Sequence, residues 1–124
     1  MQDKNETTVK HLFQTFYGKA PSAADLKKYT AELKSGKTQA QVIQEIVTSG
    51  SYKDQFGKGK NFDSQKYAET TTTDLYKAIL GHAPSNHDFR DVADKIDTAL
   101  NAGDSLAQAV GPSITALEKQ VKKK

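Results

Sequence analysis

Residues 12–25, which read LFQTFYGKAPSAAD, recur 63 positions later as LYKAILGHAPSNHD at residues 75–88. Six of the 14 aligned positions are identical. After a four-residue insertion in the second copy the match resumes, with LKSGKTQAQ at 33–41 facing LNAGDSLAQ at 100–108. Self-similarity of this kind is typical of repeated structural units, so the sequence predicts two tandem copies of one fold.

The stretch before each repeated glycine has the hydrophobic spacing of an amphipathic helix. In the first copy, apolar side chains occur at i, i+3, i+4, i+7 and i+8. These residues are Val9, Leu12, Phe13, Phe16 and Tyr17. Gly18 and Gly81 suit the left-handed conformation that ends a helix, and Pro21 and Pro84 prevent the helix from resuming at once.

Short polar residues then mark where the following helices begin. A Ser or Thr at the N-cap, with an acid or Gln three residues later, is the pattern of a capped helix N-terminus. Four such pairs occur, two in each copy: Ser22 with Asp25, Thr38 with Gln41, Ser85 with Asp88, and Ser105 with Gln108. Each copy therefore predicts three helices separated by two tight turns.

The remaining segments complete an all-α prediction of two tandem three-to-four-helix repeats packed as one small helical domain. We place the first repeat at 6–57, a linker and the start of a connecting helix at 58–71, the second repeat at 72–121, and a basic tail at 122–124. The connecting helix is expected over Ser64 to Leu80. Tyr52 and Phe56 are expected in a short turn that folds back onto the core, whereas Gly111-Pro112 is expected to interrupt the last helix.

Length and composition limit the possible classes of protein. The chain has 124 residues, of which 35% are hydrophobic and 27% charged, and it contains no Cys. This size supports one ordinary domain or two very small modules, and the lack of Cys excludes disulfides and thiolate metal sites. No apolar run is long enough to span a bilayer, and the segment at 1–6 lacks the apolar region of a signal peptide.

The charge pattern argues against specific nucleic-acid binding. The formal net charge is +3, and all but one of the 18 cations are Lys, with Arg90 as the exception. Readers of bases and phosphates rely on the bidentate guanidinium group, which is almost absent here. A Lys-driven hold on an anionic surface is the weaker alternative, and its affinity would fall steeply with salt.

No catalytic or metal-binding constellation is evident. The acids Asp88, Asp91, Asp94 and Asp97 follow a helical spacing, which favours a solvated acidic face over a Ca²⁺ loop. His82 and His87 lie about one turn apart without a preorganised carboxylate, so we expect no metal site. The sequence has neither a P-loop nor a nucleophile-elbow motif. We therefore predict a protein that is not an enzyme and uses no cofactor.

The repeated string resembles the DUF4214 repeat family. The features that carry the resemblance are the aromatic helix, the Gly-Lys/His-Ala-Pro-Ser turn, the Leu-x-x-Gly ending of the second helix, and the stretch SGSYKDQF at 49–56, which resembles the Ser-x-Glu-Phe/Tyr ending of the family. That family is distantly similar to phycobilisome linker domains, and its usual Arg after the motif glycine is replaced here by Lys19 and His82. The resemblance implies a secreted or cell-surface bacterial protein, of the S-layer-like or RTX-type class, without catalytic residues.

Two functions follow as expectations. The first is a non-catalytic interaction or assembly module of a larger bacterial protein, which binds a protein partner or itself through a helical surface; an uncovered apolar patch would mark the contact. The alternative is a glycan-binding module with exposed tyrosines in a groove between the copies. The candidate binding residues are Tyr17, Tyr29, Tyr67 and Tyr76, although most aromatics also fit core positions.

Overall fold

The computed structural model describes residues 4–122, and these residues form seven α-helices and no β-strand. The helices are α1 (Lys4–Tyr17), α2 (Ala23–Lys34), α3 (Gln39–Val47), α4 (Gly50–Lys53), α5 (Ser64–Leu80), α6 (Asn86–Asn101) and α7 (Leu106–Lys122). Two 3-10 helices, Asp54–Phe56 and Gly59–Asn61, connect α4 to α5. The all-α prediction is confirmed for this part of the chain. Lys123 and Lys124 of the predicted basic tail lie outside the described residues.

The predicted caps begin the helices as expected. Ser22 Oγ accepts a hydrogen bond from the Asp25 amide at 3.1 Å, and Ser85 Oγ accepts one from the Asp88 amide at 3.2 Å. Two reciprocal capping boxes follow, in which each side chain of the pair bonds the other residue's backbone amide. These pairs are Thr38 with Gln41 and Ser105 with Gln108.

The repeated glycines end the first helix of each half. Gly18 has φ of 72° and Gly81 has φ of 83°, a conformation that costs other residues about 1 kcal/mol or more. Their amides bond back to carbonyls of the preceding turn, at Gln14 and at Tyr76 and Lys77. A sharp turn therefore follows α1 and α5 at equivalent sequence positions.

A single contiguous core joins the two halves of the sequence. α5 packs against α1, α6 and α7, and α3 packs against α7. The largest fully buried side chains come from both halves, and include Leu12, Ile43, Leu75, Ile96 and Leu117. The described residues thus form one small helical domain, whose two halves contribute to one shared core.

The last helix differs from the sequence prediction. α7 runs from Leu106 to Lys122 with Pro112 inside it, so the expected interruption at Gly111-Pro112 is wrong. Pro112 removes the amide that would bond to the carbonyl of Gln108. Both residues are exposed, so water can satisfy that carbonyl, while Val110 and Ile114 on the opposite side are buried. Burial of this apolar face holds the helix together across the proline.

We expect the Pro112→Ala variant to be more stable than the natural chain. Alanine restores the missing amide donor and improves helix propensity, which should raise the free energy of unfolding by about 1–2 kcal/mol. Urea unfolding followed by circular dichroism measures this change. The exposed Thr115→Ala substitution in the same helix is the control and should change the free energy by only a few tenths of a kcal/mol. A loss of stability in Pro112→Ala would contradict this account.

Candidate functional site

A cavity with an aromatic wall lies where α1 ends. We call it the Tyr17 groove. It is a half-open cavity of about 590 Å³ between the α1–α2 turn and α4. Its lining consists of the aromatic rings Phe13 and Tyr17, the turn residues 19–22, and the polar side chains Asp25, Ser51 and Gln55.

Tyr17 is held in place by its ring and by its hydroxyl. The ring stacks on Phe13 with centroids 5.1 Å apart and meets the edge of Tyr52 at 6.0 Å. The hydroxyl hydrogen-bonds to Ser51 Oγ at 2.8 Å and to Ser49 Oγ at 3.2 Å. The ring is half-buried, so one part of it remains available to a ligand while its orientation is fixed.

The opposite wall of the groove depends on a second helix start. Ser49 is the N-cap of α4, and its Oγ accepts a hydrogen bond from the Tyr52 amide while donating to the Ile46 carbonyl. This turn places Ser51 against Tyr17, at 2.8 Å between the two hydroxyl oxygens. Gln55 follows one turn later, and both Ser51 and Gln55 are exposed.

The groove offers hydrogen-bonding groups of several kinds beside an apolar surface. A hydroxyl and an amide both donate and accept, whereas a carboxylate only accepts. Ser51, Gln55 and Asp25 supply these groups, and Lys19 adds a cationic donor. The volume of the groove lies within the range of small-molecule pockets.

The other three tyrosines of the sequence prediction are buried, so the expectation of exposed rings at these positions is wrong. Tyr29 is 6% exposed, Tyr67 0% and Tyr76 4%. The Tyr67 hydroxyl donates to the Val47 carbonyl at 2.6 Å, which satisfies it inside the core. The Tyr29 ring packs against Phe13, and burial raises the pKa of Tyr29 to about 12. These rings belong to the core, and none of them lines a groove with Tyr17.

The equivalent turn of the second half lacks this groove wall. Leu80 occupies the position of Tyr17, and His82 that of Lys19. No counterpart of α4 follows, because α7 continues through the aligned positions, where Ala116 and Leu117 replace Ser49 and Gly50. The groove is therefore built by the first half of the described chain alone.

A buried polar network lies behind the groove. The Tyr52 side chain is fully buried, and its hydroxyl bonds to Thr71 Oγ1 at 3.1 Å and donates to Asp74 Oδ2 at 3.2 Å. Burial raises the pKa of Asp74 to about 6, against the opposing effects of the Tyr52 hydrogen bond and of Lys77. Burial likewise raises the pKa of the Tyr52 phenol well above its usual range.

Asp74 predicts a pH dependence of stability. Since its pKa is higher in the folded state than in the unfolded chain, the folded state binds the proton more tightly, and stability falls as pH rises from about 4 to about 6. Asp74→Asn removes the ionisation, so we expect it to exceed the natural chain in stability by about 1 kcal/mol at pH 7.5, a value reduced by solvent screening of this half-buried side chain. Near pH 4 this difference should disappear in urea unfolding. An equal difference at both pH values would contradict the assignment.

The acidic and histidine positions do not converge. Within residues 4–122, no group of three or more His, Cys, Asp or Glu side chains lies close enough to hold a metal ion. Asp91 instead pairs with Lys95 on the exposed face of α6 at 3.3 Å, and Asp97 accepts a hydrogen bond from Ser64 at 2.8 Å. None of the helices in the same range is both long and apolar enough to cross a bilayer.

Sequence reasoning missed part of the site. Neither Gln55 nor Asp74 is among the predicted site residues, and α4 is not predicted as a helix with its own N-cap. Ser49, three residues before the buried Tyr52, is the N-cap signal from which the start of α4 could have been predicted. The contact between Tyr17 and Ser51 has no local signal, because 34 residues separate them.

Comparison with protein-family models finds no matching family, and searches of curated proteins and of solved structures find no significant match. The resemblance to DUF4214 is neither supported nor contradicted by these searches and stays a prediction.

Proposed function

We propose that this chain is a non-catalytic binding module made of two helical repeats, and that its first repeat holds a partner molecule in the Tyr17 groove. The observation that carries this proposal is the groove itself, with a fixed, half-exposed aromatic ring beside several polar side chains. In keeping with the resemblance, we place the module in a larger secreted or cell-surface bacterial protein.

Equivalent geometry in the two halves supports the two-repeat interpretation. The capped starts and glycine ends of the helices recur at matching positions, and α6 is four residues longer than α2, which accounts for the insertion as about one extra turn. α3 buries Val42, Ile43, Ile46 and Val47. The aligned residues of α7, which are Ala109, Val110, Ser113 and Ile114, are also buried.

The exposed surface supports binding at the Tyr17 groove better than binding through a broad apolar patch. Between residues 4 and 122, Val121 is the single large hydrophobic side chain that is exposed, at 43%. Permanent protein interfaces usually need a broad apolar core, which one valine does not provide. We therefore locate the binding surface at the Tyr17 groove and assign the second repeat the role of supporting the shared core.

A fragment screen followed by protein NMR tests this proposal without knowledge of the partner. With a library of small polar and aromatic fragments, we expect the chemical shifts of the backbone amides in residues 17–25 and 49–55 to change saturably. The equivalent turn at 80–88 serves as the internal comparison and should not respond. Fragments that bind elsewhere and leave the groove unaffected would contradict the proposal.

A further inference from the structure

We propose that the ligand of the Tyr17 groove is a neutral saccharide with at least one pyranose ring, an inference that rests on the binding function proposed above. A pyranose has one face of C–H groups and a rim of hydroxyls. Its recognition therefore needs a flat apolar surface surrounded by mixed donors and acceptors. The groove brings both of these features together in one place.

The aromatic wall supplies the flat surface. Tyr17 and Phe13 are stacked with an angle of 29° between their ring planes, and the two hydrogen bonds that the Tyr17 hydroxyl forms with Ser49 and Ser51 hold its ring in position. A ring that is already fixed loses little conformational entropy when a ligand packs against it. The polar end of Tyr17 is satisfied within the protein, so the accessible ring surface presents its apolar side to a ligand.

The polar rim fits hydroxyl groups. Each sugar hydroxyl both donates and accepts, and the groove offers an acceptor at Asp25 together with dual-function groups at Ser51 and Gln55. Lys19 and Asp25 are the two charged side chains of the lining, and they have opposite signs. The lining therefore carries no formal net charge, which favours a neutral ligand over an anionic or cationic one.

The dimensions favour a small ligand. A volume of about 590 Å³ lies within the range of small-molecule pockets, and it accommodates a short oligosaccharide. A proline-rich peptide is the main competitor, because such peptides also dock on aromatic grooves. Those grooves offer a series of aromatic ridges, whereas Phe13 and Tyr17 form a single stacked pair, so the observations favour the saccharide.

An NMR titration with defined sugars tests the inference. The probes are neutral disaccharides of glucose, galactose, mannose and N-acetylglucosamine, added separately to the natural chain. We expect at least one of them to shift the amides around Tyr17 saturably, with a dissociation constant on the order of 1 mM. Asp25→Asn and Gln55→Ala should weaken that binding by about 5-fold or more through loss of a hydrogen bond.

The chain provides a matched control for the acidic contact. Asp88 occupies in α6 the position that Asp25 occupies in α2. The backbone amide of each donates a hydrogen bond to the serine three residues earlier. Asp88→Asn makes the same chemical change outside the groove, so sugar binding should be unchanged. Equal weakening by both substitutions would overturn the assignment. Gln55 is exposed, so Gln55→Ala should leave the fold intact and report on binding alone.

The outcomes separate this inference from the proposed function. If fragments and a proline-rich peptide shift the NMR signals of the groove residues while none of the sugars does, the saccharide assignment is wrong. The proposal of a binding groove is then still supported. If neither sugars, peptide nor fragments shift these residues, both proposals fail. A saturable sugar response that is lost in Gln55→Ala and kept in Asp88→Asn supports both.

Discussion

The Tyr52→Ala variant is expected to lose about 3–5 kcal/mol of its free energy of unfolding, which is a large share of the stability of a domain of this size. Tyr52 is fully buried where α1, α4 and α5 meet. Its ring lies within 6.0 Å of four other aromatic rings, measured between centroids: Phe16, Tyr17, Phe56 and Tyr67. Truncation removes these contacts and leaves a cavity that the surrounding helices cannot fill.

The Tyr52→Phe variant separates the ring from the hydroxyl. It keeps the packing and removes the bonds to Thr71 and Asp74, so we expect a smaller loss of about 1–2 kcal/mol. Urea unfolding of both variants at the same pH measures the two contributions. If Phe costs as much as Ala, the hydroxyl network rather than the aromatic packing would be the main source of stability, contrary to this interpretation.

Gly57→Ala is expected to destabilise the domain by about 3 kcal/mol or more. Gly57 follows the buried Phe56 and has φ of 103° and ψ of 165°, a region almost restricted to glycine. A Cβ at this position would overlap the backbone carbonyl of Asn61, which cannot move like a flexible side chain. The substitution would therefore disturb the turn that brings the Asp63 amide to the Phe56 carbonyl, at 2.8 Å.

Gly59→Ala is the matched control within the same linker. Gly59 also has a positive φ, of 54°, but a Cβ there would meet no atom within 4 Å. We expect it to cost about 1 kcal/mol through backbone conformation alone. Thermal or urea unfolding of the two variants gives the comparison. A Gly57→Ala variant as stable as Gly59→Ala would show that the Asn61 backbone moves to accommodate the added methyl group, contrary to this account.

Local signals in the sequence were sufficient to place most helix ends. The capping box at Thr38 and Gln41 formed as predicted, and α5 begins at Ser64 and ends at Leu80 as expected. Capping residues and helix-ending glycines act over three or four residues, so they have the same effect in almost any tertiary context. Pro112 was misjudged for the opposite reason. Its cost is local, but the burial of the surrounding α7 face, which outweighs that cost, arises only from packing against α3, α5 and α6.

The candidate site was predictable only in part. Tyr17 was correctly named as a partly exposed aromatic, but periodicity could not distinguish it from Tyr29, Tyr67 and Tyr76. Whether each of these rings is covered depends on the neighbouring helices, which the spacing of apolar residues does not specify. Tyr67, for example, is buried because the 3-10 turn at 54–56 and Phe62 fold over it.

The sequence by itself determined that the described residues are helical, where most of their helices begin and end, and that the two halves share one pattern. These properties follow from hydrophobic periodicity, capping residues and glycine turns, which act between close neighbours in the chain. The tertiary structure alone decided that the halves share one core, that α7 continues through Pro112, and that Tyr17 meets Ser51 to form a groove. Those outcomes depend on contacts between residues far apart in sequence, whose energies are set by which surfaces the packed helices cover.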